Sequence, residues 1–282
     1  MVDLAWIDGE ITSLDEARIP LEDRGFLLGD GVYEVIRIYS SRPFYLFAHL
    51  ERLRKSAGAV KIKIPFPPEK IEKAVYDLIK KGQVRDGYVY VQVTRGCAPR
   101  DHLFPARVDP SMVLYVKEAE FVSGLEAAVA ATCVTLPDER WLNCHIKTIN
   151  LLPNLLARQR AFEEGALEAI LYRPGKKVTE GTRANVFAVV DGVVRTHPES
   201  NLILSGVTRR IILDIIKRLS IPCREEAFTV DELFSAEEVW LTSTTMEIMP
   251  VGVIDRFQIK AAPADSISRS LIEEFKKEIA AS

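Results

Sequence analysis

The sequence predicts a mixed α/β protein that is divided into two domains. Three observations support this prediction. Segments with the alternating pattern of β-strands are interspersed with segments of helical periodicity, no repeat or low-complexity tract interrupts them, and the pattern relaxes over residues 117–124. A fresh alternating series begins after that stretch. We therefore predict a first domain over residues 1–118, a linker over 119–124 and a second domain over 125–282.

The first domain is predicted to begin with a β-hairpin over residues 5–11. Asp8 and Gly9 form its turn, because Asp-Gly between extended apolar residues is a strong hairpin signal. Helices are predicted where apolar residues recur at helical spacing. The helix predicted over 68–84 has prolines just before its first turn. The remaining elements are strands over 32–39, 87–96 and 112–118 and helices over 48–60 and 68–84.

The second domain is predicted to alternate strands and helices in the same way. Its strands cover 127–136, 168–173 and 238–244, with a hairpin over 184–197 and a short strand after residue 220. Its helices cover 150–165, 206–220 and 230–236, and a further helix ends the chain.

The composition excludes several classes of protein. Of 282 residues, 48% are hydrophobic and 27% are charged, which is typical of a soluble globular protein. The formal net charge is -3 with both signs interspersed, so no basic stripe for nucleic acid is present. No segment approaches about 18 uninterrupted apolar residues, and acidic residues stand where a secretory signal has basic ones. We therefore expect a cytoplasmic protein with no nucleic-acid or membrane partner.

The cysteines and histidines do not predict a disulfide framework or a metal site. The four cysteines lie far apart and form no CxxC pair, so we expect them to be reduced. The histidines are scattered and no cysteine joins them at short separation. The sequence therefore predicts no metal.

Two glycine-containing segments do not match the common nucleotide motifs. Gly29-Asp30-Gly31 begins like a dinucleotide fingerprint, but Glu34 stands where the third glycine is required and the segment is a strand. Residues 174–177 lie in a turn that runs into a strand, and no phosphate-binding GxxxxGK[ST] loop occurs.

A set of segments spread over the chain resembles one cofactor-dependent family. In order they are GDGVYEVIRIY, HLERL, TRGCAPRDH, HIKTINLLPNLLARQRA, TEGTRANVF, SGVTRR and LTSTTMEI. They resemble the fold-type IV, or class IV, pyridoxal-phosphate enzymes, and among these the D-amino acid aminotransferases most. The resemblance implies a smaller N-terminal α/β domain, a larger β-barrel-like C-terminal domain with surrounding helices, and a homodimer.

The resemblance assigns the covalent attachment of pyridoxal 5'-phosphate to Lys147, as a Schiff base. A lysine amine suits this chemistry because burial or a neighbouring cation can leave it neutral and nucleophilic. Lys147 lies between the apolar Ile146 and a helix start that Asn150 is expected to mark. The resemblance also implies that Glu180 faces the pyridine nitrogen and keeps it protonated, so that the ring withdraws electrons from the substrate carbon.

The cofactor phosphate requires N–H donors and a cation, and a helix N-terminus supplies the donors. By resemblance, these groups are the backbone at Val207 and Thr208, the Ser243–Thr244 pair and the side chain of Arg52.

Substrate recognition is implied for Tyr33, Arg100 and His102. Tyr33 corresponds to a family tyrosine near the lysine imine. Arg100 and His102 are separated by one residue, so their side chains share one side of an extended loop, and a guanidinium can grip a carboxylate through two hydrogen bonds. In the D-amino acid enzymes this pair reaches over from the partner subunit. Thr182, Arg183 and Ala184 depart from the hydroxyl-rich run of those enzymes, and Arg183 extends either to solvent or to the side-chain pocket.

The resulting hypothesis is a ping-pong transamination between a D-amino acid, such as D-alanine or D-glutamate, and a 2-oxo acid, such as 2-oxoglutarate or pyruvate. Alternatives within the family are a branched-chain L-amino acid or broad-specificity aminotransferase and an aminodeoxychorismate lyase. A further alternative outside enzymes is a module that binds a phosphorylated small molecule.

Overall fold

The computed structural model describes residues 3–121, 130–259 and 266–282. Backbone proximity groups the chain into two units. The first contains Met1–Glu120, Ile146–Asn150 and Ser282, and the second contains Phe121–His145 and Leu151–Ala281. Residues 122–124 of the predicted linker lie outside the described residues, and the division at 119–124 stays a proposal.

The first unit contains one six-stranded sheet in the order β2-β1-β6-β5-β3-β4, and every neighbouring pair is antiparallel. Helices α2 (Leu46–Ala59) and α3 (Pro68–Gly82) cover one face of it. The strands are β1 (Leu4–Ile7), β2 (Glu10–Ser13), β3 (Gly31–Tyr39), β4 (Arg42–Pro43), β5 (Gly87–Thr94) and β6 (Met112–Glu118), and the helices are α1 (Arg24–Leu28), α2 (Leu46–Ala59) and α3 (Pro68–Gly82).

Alternation along the strands of this sheet builds the first core. In β5 and β6, alternate residues are buried, so that one face packs on the helices and the other is partly exposed. Val32, Ile36 and Ile38 of β3 join this core together with apolar residues of α2 and α3. Asp8 and Gly9 close the hairpin between β1 and β2 at φ 48° and 119°, as the Asp-Gly signal predicted.

The second unit contains a nine-stranded sheet in the order β12-β11-β10-β13-β14-β7-β8-β9, with β15 paired to β14. The sheet is mixed, because β11–β12, β14–β7 and β7–β8 are parallel and the other pairs are antiparallel. The strands are β7 (Ala131–Pro137), β8 (Glu168–Arg173), β9 (Lys177–Gly181), β10 (Asn185–Val190), β11 (Val193–Thr196), β12 (Cys223–Glu225), β13 (Glu238–Ser243), β14 (Glu247–Ile254) and β15 (Phe257–Gln258), and the helices are α4 (Leu152–Glu163), α5 (Val207–Arg218), α6 (Val230–Ser235) and α7 (Ile267–Ala281).

The order of these strands brings the ends of several elements together. Asn185 begins β10 and pairs with Thr242 near the end of β13, one residue before Ser243. The turn from β9 to β10 is closed by Gly181, whose N–H donates to Ala184 O at 2.6 Å. One end of the curled sheet therefore gathers the Glu180 segment, the Ser243 turn and the start of β10.

Most predicted elements are confirmed, with shifts of a few residues at their ends. The predicted helix over 150–165 is α4, and Asn150 does not cap it, because Leu151 holds the N-cap position without a side-chain cap. Strand β14 was missed, since Pro250 and Gly252 interrupt its apolar run and a bulge lies between Val251 and Val253. The first part of the predicted strand 127–136 lies outside the described residues.

Within residues 3–121, 130–259 and 266–282, no helix combines the length and apolar character needed to cross a membrane. All four cysteines carry free thiols, of which Cys133 and Cys144 are buried.

Candidate active site

Lys147 lies on a short segment that hydrogen bonds to β3 of the first unit. Tyr33 N donates to Lys147 O at 3.0 Å, and Ile149 N donates to Gly31 O at 3.1 Å. Ser56 Oγ of α2 accepts from Lys147 N at 3.1 Å. These bonds explain why Ile146–Asn150 belongs to the first unit although the neighbouring residues on both sides belong to the second. The Lys147 backbone is held by both a strand and a helix.

The Lys147 ammonium lies over the face of Tyr33. Its Nζ is 4.2 Å from the ring centroid, within the range of a cation–π interaction. Tyr33 stacks in turn on Tyr90 with ring centroids 5.6 Å apart, and Tyr90 stacks on Tyr115 at 5.0 Å. Burial raises the pKa of the Tyr115 hydroxyl to about 12, so this phenol remains neutral at physiological pH. Tyr33, Tyr90 and Tyr115 thus form a continuous stack of rings, and Lys147 Nζ lies over the first of them.

Arg52 forms a fork with Glu34, a residue that sequence reasoning did not select. Arg52 Nε and Nη2 donate to the two Glu34 oxygens at 2.7 and 2.8 Å. His49 Nδ1 lies 2.8 Å from Glu34 Oε2. Burial acts to raise the pKa of Glu34, but Arg52 and His49 outweigh it and hold the pKa well below its usual range. Glu34 is therefore an anion that orients Arg52.

His49 is kept neutral by its surroundings. Burial lowers the pKa of its ring, and the charges of Arg52 and Lys147 lower it further, against the opposing effect of Glu34. With Nδ1–H donating to the Glu34 carboxylate, the ring contributes a hydrogen bond without adding a second buried cation beside Arg52. Both carboxylate oxygens of Glu34, at the centre of the cluster with His49 and Arg52, therefore accept hydrogen bonds.

Glu180, at the end of β9, lies in a second buried cluster. Arg140 Nη1 donates to its Oε1 at 2.6 Å, while Asn185 Nδ2 and Leu204 N each donate to Oε2 at 3.0 Å. Burial raises the pKa of Glu180, and Arg140 opposes that effect. A carboxylate accepts about four hydrogen bonds, so these three donors leave room for one more. Glu180 is thus rigid and able to accept a further N–H.

Arg140 connects Glu180 to Asp138. Its Nε and Nη2 donate to the two Asp138 oxygens, each at 2.9 Å. Thr179 Oγ1 and Arg173 Nε also donate to Asp138, at 2.9 and 3.2 Å. Burial raises the pKa of Asp138, but the hydrogen bonds and charges of Arg140 outweigh it and lower the pKa overall. This network fixes the guanidinium that contacts Glu180.

The predicted phosphate ligands of the second unit lie at the start of α5 and in the turn after β13. Val207 and Thr208 occupy the first turn of α5, whose N-cap, Gly206, provides no side-chain cap for the helix N–H groups. A Cβ at Gly206 would lie 2.2 Å from Asn185 Oδ1, so only glycine allows this approach. Ser243 Oγ accepts from Met246 N at 3.1 Å in the β13–β14 turn, and Thr244 follows in that turn.

Arg100 and His102 both lie on an exposed loop of the first unit. Arg183 is also exposed, with its Nε 3.8 Å from Oε2 of the buried Glu168. Of the two interpretations left open for Arg183, the half-exposed guanidinium agrees with extension to solvent beside Glu168. Thr182 N and Oγ1 donate to Glu168 Oε1 at 3.1 and 2.5 Å, so these hydrogen bonds hold the turn after Glu180 to the buried Glu168.

A family model described as amino-transferase class IV matches residues 31–254, which include both clusters. The chain belongs to the class IV aminotransferases. The predicted family is therefore confirmed.

Curated relatives of this class IV aminotransferase match almost its whole length. A D-alanine aminotransferase of Staphylococcus epidermidis strain ATCC 12228 is 41% identical over 276 residues, covering 97% of each chain. A D-alanine aminotransferase of Listeria monocytogenes strain 10403S is 39% identical over 281 residues, covering 97% of this chain and 95% of the relative.

Solved structures share the fold. A branched-chain aminotransferase of Thermoproteus uzoniensis with norvaline is similar with a TM-score of 0.90 at 26% identity, covering 98% of this chain and 94% of the other. A T.th. branched-chain amino acid aminotransferase with pyridoxamine 5'-phosphate has a TM-score of 0.89 at 27% identity and the same coverage. The predicted mixed α/β fold class is confirmed.

Sequence reasoning missed several residues of this class IV aminotransferase that contact its predicted site residues or hydrogen bond to the residues that do. They are Glu34 and His49 in the first unit and Asp138, Arg140 and Asn185 in the second. One signal was available for Glu34, because a charged residue falls on the buried face of β3 between Val32 and Ile36. No comparable pattern marks Arg140.

Proposed function

We propose that this class IV aminotransferase transfers the amino group of D-amino acids, such as D-alanine or D-glutamate, to 2-oxo acids, such as 2-oxoglutarate or pyruvate. The similarity of 41% over 97% of the chain to a D-alanine aminotransferase supports this substrate class. The observation that carries the proposal is the position of Lys147, whose ammonium lies over Tyr33 and is held by backbone bonds to β3 and α2.

The donor chemistry of the described residues fits pyridoxal 5'-phosphate. The cofactor needs one amine for covalent attachment, an acid for its ring nitrogen, and donors for its phosphate. Lys147 offers the amine. Glu180 is a buried carboxylate with three donors and space for a fourth, which fits a protonated pyridine nitrogen.

The phosphate would bind at the uncapped first turn of α5, through the N–H groups of Val207 and Thr208. Ser243 and Thr244 would add hydroxyl donors. Arg52 would supply the cation, oriented by its fork with Glu34. Thr242 Oγ1 is buried without a hydrogen-bond partner among the described residues, which supports a polar ligand near this turn.

When bound, the cofactor supplies an electron-withdrawing ring that stabilises the negative charge left on the substrate carbon after proton loss. Lys147 Nζ would take the substrate α-proton as general base and hold it for return. The face of Tyr33 restricts the path of the lysine side chain, and the buried Glu34 carboxylate keeps Arg52 in place. Two successive half-reactions, with an amino acid and then a 2-oxo acid, predict ping-pong kinetics.

Arg100 and His102 would bind the substrate α-carboxylate, and this role requires a homodimer in which the loop of one protomer reaches its partner. The guanidinium fork of Arg100 matches a carboxylate with two hydrogen bonds. In the monomer these side chains are exposed and available for such a contact. Activity should therefore depend on dimer formation.

The second candidate is a branched-chain L-amino acid aminotransferase. The similarity to solved branched-chain enzymes, with a TM-score of 0.90 at 26% identity, favours it at the level of fold. Initial rates on a panel of D- and L-amino acids with 2-oxoglutarate distinguish the two. We expect D-alanine or D-glutamate to react faster than L-leucine, and Arg100→Ala to lower kcat/KM for D-alanine by about 100-fold. Faster turnover of L-leucine, with Arg100→Ala harmless, would refute the D-specific assignment.

The attachment residue has a direct chemical test. Borohydride reduction of the holoenzyme followed by peptide mapping should attach the cofactor mass to the peptide that contains Lys147. Lys147→Ala should abolish this label. Lys117→Ala, which removes a lysine from an exposed ion pair, is the control and should keep it. A protein that binds the cofactor without covalent labelling would instead be a phosphate-binding module.

A further inference from the structure

The loop that carries Arg100 and His102 rests on a pair of buried arginines. Arg24 and Arg95 are 2% and 5% exposed, and neither belongs to the predicted site. Asp30 bridges them, since Arg24 Nε donates to its Oδ2 at 2.9 Å and Arg95 Nε and Nη2 donate to Oδ2 and Oδ1 at 2.7 and 3.0 Å. Asp30 is the central residue of the Gly-Asp-Gly segment that does not form a dinucleotide motif.

One carboxylate cannot balance the charge and donors of two guanidinium groups, so carbonyl oxygens complete the cluster. Arg95 donates to Val60 O at 2.8 Å and to Lys61 O at 3.1 Å. Arg24 Nη1 donates to Asp101 O at 2.7 Å. Asp101 is the residue between Arg100 and His102. The backbone of the substrate loop is therefore a hydrogen-bond acceptor for a buried cation.

A second contact holds the same loop from its other end. The Arg95 guanidinium lies 3.6 Å from the ring centroid of Phe104, a close cation–π contact, although Phe104 is 55% exposed. Before the loop, Arg24 N donates to Gly96 O at 3.0 Å and Ala98 N donates to Glu22 O at 3.3 Å. Both buried arginines thus contact the loop directly, one on each side of His102.

These contacts make the loop conformation and the cluster interdependent. If the loop moved away, Nη1 of the buried Arg24 would lose its acceptor Asp101 O, and a buried donor without an acceptor is costly even though Asp30 remains the ion-pair partner of Arg24. Arg100 and His102 have long exposed side chains, so their aim depends on the backbone at Asp101. A fixed backbone reduces the conformational entropy that substrate binding must overcome.

We propose that Arg24 and Arg95, joined by Asp30, are positioning residues that hold the Arg100–His102 loop in the conformation that binds the substrate carboxylate. This inference rests on the proposed function, because it assumes that Arg100 and His102 bind that carboxylate. It adds residues that touch neither substrate nor cofactor and act only through the loop.

The test compares Arg24→Gln and Phe104→Leu in the holoenzyme with matched controls. Arg18→Gln is the control for the arginine, since Arg18 also donates to backbone carbonyls, at 2.7 and 2.9 Å, but on an exposed turn. Phe162→Leu removes an aromatic ring that is 67% exposed in α4. The measurements are KM and kcat for D-alanine, the inhibition constant of D-alaninol, which lacks the carboxylate, and hydrogen exchange of the peptide over 97–107.

We expect Arg24→Gln to raise KM for D-alanine about tenfold, and Phe104→Leu about threefold, with kcat within about twofold. Exchange of the 97–107 peptide should accelerate in both variants, while the inhibition constant of D-alaninol stays constant. The control variants should change none of these values. Should Arg24→Gln fail to fold, Phe104→Leu still tests the positioning role through the other loop contact, that of Arg95, from the surface.

Other outcomes overturn the inference in distinguishable ways. If Arg100→Ala raises KM for D-alanine while Arg24→Gln and Phe104→Leu do not, the proposed function stands and the positioning role is wrong. An equal loss of affinity for D-alaninol would mean general damage to the site. If Arg100→Ala itself leaves KM unchanged, the carboxylate role fails and the inference fails with it.

Discussion

The Lys147 ammonium nitrogen lies 4.2 Å from the centroid of the Tyr33 ring, and the two residues are also joined through their backbones by a 3.0 Å hydrogen bond. Strand β3 thus orients both the main chain and the side chain of the predicted attachment lysine. The same strand carries Glu34, whose carboxylate orients Arg52. Neighbouring residues of one strand, on its two faces, therefore position two predicted cofactor ligands.

Substituting Tyr33 separates its ring face from its hydroxyl. Tyr33→Leu removes the ring face that lies beneath Lys147 Nζ and restricts the path of the lysine side chain, and we expect kcat to fall about tenfold. Tyr33→Phe keeps the ring and should retain most of kcat. Initial rates with saturating substrate measure both variants. An equal loss in Tyr33→Phe would show that the hydroxyl, rather than the ring face, is required.

The depressed pKa of His49 predicts a pH dependence of stability. A histidine whose pKa is lower in the folded state resists protonation, so its contribution is fully present above the unfolded value of 6.5 and is lost as pH falls through the folded pKa. We expect the urea midpoint of the wild type to fall more between pH 7.5 and 5.5 than that of His49→Asn. His145→Asn, at an exposed position, should follow the wild type. Parallel curves for all three proteins would contradict the prediction.

Removing Arg140 should destabilise the second unit strongly. Arg140→Gln leaves Asp138 and Glu180 as buried carboxylates without their shared cation, which costs about 3–5 kcal/mol in the free energy of unfolding. Arg160→Gln breaks an exposed pair with Glu164 and should cost about 0.5 kcal/mol or less. Urea denaturation of both variants measures the difference. Similar values would mean that Arg140 is not an obligatory counterion.

The space around two glycines predicts that one substitution weakens cofactor binding and that the other raises stability. Gly206→Ala forces a Cβ to within 2.2 Å of Asn185 Oδ1, next to Glu180 and the first turn of α5, so we expect the Kd for pyridoxal 5'-phosphate to rise about tenfold or more. Gly58→Ala meets nothing within 4 Å in α2 and should stabilise the protein by about 0.5–1 kcal/mol. Absorbance titration of the apoprotein and urea denaturation check these outcomes. Unchanged cofactor affinity in Gly206→Ala would show that the turn can move aside.

The local patterns predicted the elements better than the contacts between them. The hairpin at Asp8-Gly9 and the helices α2, α3 and α5 follow from turn chemistry and periodicity, which act over a few residues. Strand β14 was missed although it pairs with the preceding strand β13, because Pro250 and Gly252 interrupt its apolar pattern; its second partner, β7, lies more than a hundred residues earlier in the chain. Such pairing leaves little local trace.

The site shows the same division. Lys147 and Glu180 were selected because the short segments that contain them resemble those of a known family. Arg140 donates to Glu180 across 40 residues of sequence, and Arg24 donates to Asp101 across 77. No periodicity reports on a partner at that distance, and Asn150, expected to cap a helix, instead donates to Gly29 O at 2.7 Å.

The sequence by itself determined the family, the mixed α/β class and the kinds of side chain that the chemistry requires, because these depend on residue types and on spacings of a few positions. Only the tertiary structure decided which charges are paired: Glu34 with Arg52, Glu180 with Arg140, and Asp30 with Arg24 and Arg95. The physical reason is desolvation. A buried charge needs a partner at hydrogen-bonding distance, and the fold alone determines which residue lies there.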